Sequence, residues 1–267
     1  MRKRKIGFWL LILLAAILLG IGVWIALTPT INRIEQQDQA SSEVAAFLQQ
    51  RANPGRPGRR PGVYHSGLSY EPDDPDYVDS VPEQEQPFPE LRAAMEAYNE
   101  QIYKERQAGL ADPWCYAASV INLSKYGFDA DAPVGVLTIP KMDFEEPVFL
   151  GASMDHLSRG SAQLSISSMP IGGKNTNCVL AGHRGWQGAL HFRHIELLEV
   201  GDEIILTNLW EELHYNVDEI KVIHPWQAEE LLIQEGRDLL TLLTCHPYGS
   251  GGKYRYVVVC ERKIKED

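Results

Sequence analysis

Residues 239–260 read LLTLLTCHPYGSGGKYRYVVVC. Two apolar runs, Leu239 to Thr244 and Tyr254 to Cys260, flank a loop containing Pro247, Gly249, Ser250, Gly251 and Gly252. Runs of this length and composition read as strands, and the Gly and Pro between them supply the turn. Cys245 closes the first strand, and Arg255 begins the second ten residues later, close enough to reach back over the same end. A rigid strand end beside a glycine-rich loop is a place where folds present reactive groups.

Further short runs of the same kind occupy Val134 to Ile139, Pro147 to Leu150, Cys178 to Gly182, Glu203 to Thr207 and Leu213 to Ile223, with Gly, Pro and Asn between them. In this half of the chain only about Gln227 to Gln234 carries a convincing helical pattern. Seven or eight short strands predict a mainly β domain over residues 133–267, built as an antiparallel sandwich or a closed barrel.

Upstream, Leu91, Met95, Tyr98 and Ile102 recur at helical spacing, with Pro89 and Glu90 at the start, Lys104 and Arg106 in the last turn and Gly109 as the stop. An amphipathic helix that caps the following domain is expected at the head of a segment spanning 89–132. Residues 28–88 read as a stalk and linker. A weak helical pattern over 31–50 gives way to a Pro- and Gly-rich stretch, first basic and then acidic, that cannot build a packed core.

Ile6 to Leu27 is a run of 22 residues without a charge, which as a helix would span about 33 Å, enough to cross a bilayer. Residues 1–5 form a basic stub, with Arg2, Lys3, Arg4 and Lys5 held on the cytoplasmic side. The expectation is a single-pass membrane anchor over 6–27 with the catalytic region outside the cell. A cleaved signal peptide is the rival; against it, the run exceeds a signal core of roughly 7–15 residues, and the cleavage pattern around Ala26, Leu27 and Thr28 is poor. The 267-residue chain has a net charge of −11, yet four of its 25 basic residues lie in the stub, leaving 21 against 36 acidic residues. An acidic body argues against nucleic acid as a partner.

Among the four cysteines, Cys178 and Cys260 sit in apolar strand contexts, where a thiol behaves as a small hydrophobe, and Cys245 alone ends a strand at a glycine-rich loop. A disulfide among Cys115, Cys178 and Cys260 stays open at this stage, since four cysteines allow three pairings. A nucleophilic cysteine needs an imidazole to take and return a proton, and a donor for the developing oxyanion. His183, at the end of Val179-Leu180-Ala181-Gly182, has the best context for the first role. His246 is a rival by adjacency, but strand neighbours point to opposite faces. Arg255 suits the second role, because a guanidinium stays charged and donates two bonds.

The run Thr241-Leu242-Leu243-Thr244-Cys245, followed by Arg255, resembles the signature of sortases, the membrane-anchored cysteine transpeptidases of Gram-positive cell surfaces. Gly135-Val136-Leu137-Thr138-Ile139-Pro140, Gly172-Gly173-Lys174-Asn175-Thr176 and Ala181-Gly182-His183-Arg184-Gly185 are similar to further sortase landmarks in the same order. The resemblance covers about residues 133–263. It implies an eight-stranded barrel with short helices, with Cys245 as nucleophile, His183 as acid/base partner and Arg255 as oxyanion and substrate-positioning residue.

Ala111-Asp112-Pro113-Trp114 resembles the Asp-Pro-aromatic lid of class C, pilin-polymerising sortases. By that resemblance Asp112 lies near the arginine and Trp114 covers the cysteine. The implied partners are surface proteins or pilins bearing a C-terminal LPXTG-like sorting motif, and an acceptor amine from a pilin lysine or a cell-wall precursor. No metal or organic cofactor is called for. A housekeeping sortase that attaches proteins to a peptidoglycan precursor, a hydrolytic cysteine peptidase and a non-enzymatic surface scaffold are the alternatives.

Overall fold

The computed structural model describes residues 2–53, 86–108, 119–185 and 190–263, with the side chains of residues 2–12, 29, 32 and 33 excepted. Most of the Pro-rich linker and the whole Asp112-Pro113-Trp114 segment lie outside the described residues.

Helix α1 (Arg2–Ala52) runs through both the apolar stretch and the stalk. From Leu13 to Leu27 its large apolar side chains are exposed, Trp24 and Leu19 to 70% and 71%. Among the described residues no helix is long and apolar enough to cross a membrane; the expected anchor over 6–27 begins in the part of α1 whose side chains are not described. The other end of α1 is docked. Val44 and Phe47 are buried with Leu91, Met95, Val134 and Val136, and Glu43 takes both Nε and Nη2 of Arg159 at 2.9 Å. A bidentate Arg–carboxylate pair fixes orientation as well as distance, and Arg159 also lies over the Phe149 ring.

Helix α2 (Pro89–Lys104) starts with Pro in its first turn and Glu90 near its positive end, and closes with Lys104. Its buried face is Leu91, Met95, Asn99 and Ile102. The expected Tyr98 stands at the margin of that face and donates its hydroxyl to the Ser165 carbonyl, while burial pushes the phenol up to about 12. Asn99 is buried because its Oδ1 accepts from Met169 N at 2.7 Å. The helix ends at Lys104, and Gly109, the expected stop, lies outside the described residues. Arg106 and Gln107 turn left-handed, and Gln107 bonds Ile166 O and Ile233 N through its amide.

Eight strands follow: β1 (Gly135–Ile139), β2 (Phe144–Leu150), β3 (Ser161–Gln163), β4 (Thr176–Ala181), β5 (Glu203–Asn208), β6 (Glu212–Ile223), β7 (Asp238–His246) and β8 (Tyr254–Arg262). They close into a barrel in the order β1-β2-β3-β4-β7-β8-β6-β5, which leaves no edge unpaired. The barrel is not purely antiparallel, because β2 pairs with β3 and β4 with β7 in parallel. Parallel neighbours need a crossover. The short helix α3 (Met154–Arg159) supplies the first, and the β5–β6 hairpin fills the second. Two sequence expectations change accordingly. The three-residue strand β3 is too short to show a period, and the helical pattern near Gln227 to Gln234 forms only a 3-10 turn at Ala228–Leu231.

Alternation along the strands divides the core. Leu240, Leu242, Leu180, Cys178, Val258 and Cys260 fill the barrel interior, whereas Leu239, Leu243, Val179, Ala181, Val257 and Val259 build a second layer on the outer face of the sheet. Cys178 and Cys260 each pair with Leu240, from opposite sides of β7. Two strand spacings of about 4.8 Å put their Cα atoms beyond the reach of a disulfide, and both are free thiols. Cys115 lies outside the described residues.

Phe47 is 1% exposed and carries much of the docking of α1. Phe47→Ala is expected to destabilise the protein by about 3–5 kcal/mol, read as a lowered denaturant midpoint.

Candidate active site

Cys245, Arg255 and His183 meet through strand register alone. On the antiparallel side, Cys245 is the direct partner of Arg255. On the parallel side, the β4–β7 ladder ends at Ala181 beside Leu243. It is extended by Gly182 N donating to Leu243 O at 3.1 Å and Thr244 Oγ1 donating to Gly182 O at 2.7 Å. Two residues further along each chain, His183 stands beside Cys245. Cys245 therefore sits on the middle strand, with the chain that carries His183 on one side and the strand that carries Arg255 on the other. All three continue the outer-face positions of Val179 and Ala181, of Leu239 and Leu243, and of Val257 and Val259.

Gly252 brings the thiol and the guanidinium together. A Cβ at this position would lie 3.1 Å from Cys245 Sγ and 3.0 Å from Arg255 Nη1, and its φ of +84° is costly for any other residue. Arg255 Nη1 donates to Gly252 O at 2.6 Å and Tyr254 O at 3.3 Å. The glycine-rich loop thus aims the arginine.

Burial dominates the electrostatics. It pushes the Cys245 thiol above its ordinary range, against the opposing pull of Arg255 and Arg184. It also pushes His183 down to about 4, with His191 adding to the effect. At neutral pH the resting pair is thiol and neutral imidazole.

Arg184 was quoted in the sequence only as a neighbour of His183, and its role is visible only in three dimensions. Its side chain is buried, donates through Nη1 to the Cys245 carbonyl at 3.3 Å and to His246 Nδ1 at 2.8 Å, and pairs through Nη2 with Glu196 at 2.5 Å. It also lies over the Tyr256 ring. This network ties His246 Nδ1 to Arg184 and Glu196, beside the main chain of Cys245. Glu146 and His191 were also missed. Glu146 lies 45 residues from His191, and the Glu146–His191 contact leaves no local pattern in the sequence. Among the described residues no group of His, Cys, Asp and Glu is placed to hold a metal ion.

The family model for the Sortase domain matches residues 137–263. Sortase D of Bacillus subtilis is 30% identical over 130 residues, covering 48% of this chain and 63% of the relative, so the chain spans less than two-thirds of that protein's length. Sortase C1 of GBS Pilus Island 1 superposes with a TM-score of 0.63 at 26% identity, over 85% of this chain and 95% of that one. Sortase C of Clostridium perfringens, solved with the C-terminal cell wall sorting motif, superposes with a TM-score of 0.56 at 31% identity over 66% and 89%. The chain belongs to the sortase family. Sortases are cysteine transpeptidases, and the solved structures similar to this sortase include pilus-related sortases C.

Because the thiol of this sortase is raised, alkylation of Cys245 by iodoacetamide should accelerate ~10-fold per pH unit between pH 7 and 9, following the thiolate fraction. A plateau already reached at neutral pH would contradict the buried resting thiol. Gly252→Ala should slow both alkylation and turnover, through crowding of Sγ and about 1–3 kcal/mol of backbone strain. Parallel measurement of labelling rate and thermal midpoint separates the two effects.

Proposed function

We propose that this sortase cleaves a C-terminal sorting motif and joins the product to an amine, from the outer face of the membrane. The observation that supports the reading is Cys245 of β7 opposite Arg255 of β8, with His183 two residues beyond the end of the neighbouring β4. Cys245 gives its proton to His183, and Sγ attacks the carbonyl of a threonine-like residue while Arg255 bonds the oxyanion. Collapse of the tetrahedral adduct breaks the peptide bond, and the leaving amine takes the proton from His183. An incoming amine then attacks the thioester, yields its proton to His183 and releases the sulfur, which takes that proton back.

The likeness to pilus-related structures supports a pilin lysine as the acceptor. Asp112, Pro113 and Trp114 enter this reading only through their resemblance to the class C lid. The uncharged run Ile6 to Leu27 within α1, its exposed apolar side chains from Leu13 to Leu27 and the basic residues Arg2 to Lys5 support anchoring at the cell membrane.

A peptide bearing an LPXTG-type motif, incubated with a lysine-containing acceptor peptide, should yield the amide-linked product by mass spectrometry. Cys245→Ala should abolish it, and Arg255→Ala should reduce it by about 10²–10³, the scale of a lost oxyanion donor. Product carrying only water would mark a hydrolase. No turnover of any sorting-type peptide would overturn the proposal.

A further inference from the structure

A second titratable pair lies behind His183. Glu146, on the β2 strand, is only 13% exposed at its side chain and holds His191 Nδ1 at 3.0 Å from each carboxylate oxygen. His191 is itself 4% exposed. Its Nε2 is buried without a hydrogen-bond partner. A buried imidazole bonded on one side to a carboxylate costs desolvation, and position 191 adds backbone cost, since its φ of 40° is left-handed and the residue is not glycine. Apolar side chains would fill the same space at less expense.

The pair is aimed at the proposed site. The ring centroids of His191 and His183 are 6.4 Å apart, tilted by 53°. The backbone locks that spacing, for Phe192 N donates to His183 O at 3.0 Å. The Phe192 ring occupies the space where a side chain on Gly182 would stand, 2.6 Å from a Cβ built there. Gly182 and Phe192 are the immediate neighbours of the two histidines, so the rings cannot drift apart without breaking the ladder that also aligns Cys245. Glu146 approaches from β2, which is separated from β4 in the barrel by β3.

We propose that Glu146 and His191 are positioning residues for His183, with the carboxylate fixing the His191 ring and that ring biasing how readily His183 takes and gives up its proton. The proposal rests on His183 being the proton carrier of the reading above. The other charged or titratable groups around these rings are Cys245 from β7, Arg255 from β8, and Arg184 with Glu196, which are already paired with one another. Glu145, Arg193 and His194 face solvent. Of the neighbours of His183, His191 is the one whose charge opposes its protonation, in addition to burial. Its effect is to make the His183 imidazolium a stronger acid toward a departing amine, at the expense of its population near neutral pH.

The test follows the His183 ring directly, by NMR titration of imidazole-labelled full-length protein, beside the pH profile of kcat/KM. His191→Asn keeps a residue that tolerates a positive φ. It should raise the His183 midpoint from about 4 toward the ordinary histidine value. The expected shift is about half a pH unit or more, the water-like limit for a unit charge at this separation. The double variant Glu146→Gln with His191→Gln removes the carboxylate and the imidazole together and should also displace the His183 midpoint, even if the single variant folds poorly. A His183 midpoint unmoved in folded protein carrying either change, with only stability lost, would overturn the proposal and leave the pair a packing feature. If His183 moves as expected but wild-type protein shows no transpeptidation, the positioning role stands and the functional reading falls.

Discussion

The structure depends on the parallel pairing of β4 with β7. The other ladder of β7, with β8, is a hairpin, but this one joins strands separated in the chain by two others, β5 and β6. Its register decides which residue of β4's exit lies beside Cys245. Because side chains alternate with a period of two, a slip of one residue would turn His183 to the opposite face and put Gly182 or Arg184 in its place. The register is held by more than the ladder. Asn177 of β4 accepts from Thr241 Oγ1 at 2.8 Å and donates to Leu231 O at 3.0 Å, tying both strands and the following turn into one buried polar unit. The Thr244 hydroxyl closes the last step on Gly182 O.

Around this register the protein places its charges in pairs of opposite effect. Burial makes the thiol reluctant to ionise and the imidazole reluctant to protonate, which holds the site neutral at rest. Arg255 and Arg184 pull the thiol back toward ionisation from two sides, one through a position next to Sγ and one through the main-chain carbonyl. Chemistry that moves one proton between two neutral groups avoids separating charge in a partly dry site until a substrate carbonyl is there to receive it.

Much of this was legible in the sequence where a single element carries the signal. Strand β7 with its terminal cysteine, strand β8 with Arg255 near its start, and helix α2 with its spacing of apolar residues are local patterns, and the structure reproduces them. The barrel's mixed direction was not legible, because strand direction depends on which distant strand is met, and β3 is too short to announce itself. The supports of the site were hidden for the same reason. Arg184 beneath Cys245 and Glu146 beside His191 are contacts across 61 and 45 residues. Tyr98 and Asn99 show a smaller failure: periodicity chose the aromatic residue for the buried face, whereas a buried hydrogen bond to Met169 N made the amide the better occupant.

The distance along the chain between His183 and Cys245 has a consequence for how the protein comes to be reactive. The β5–β6 hairpin lies between β4 and β7 in the chain, so a ladder whose partners are 62 residues apart assembles the site. Contacts of large sequence separation form late because their loop entropy is lost first. Until the barrel closes, the emerging polypeptide therefore carries an ordinary thiol and an ordinary imidazole with no means of finding each other. The pairing of the two groups is a property of the finished barrel alone.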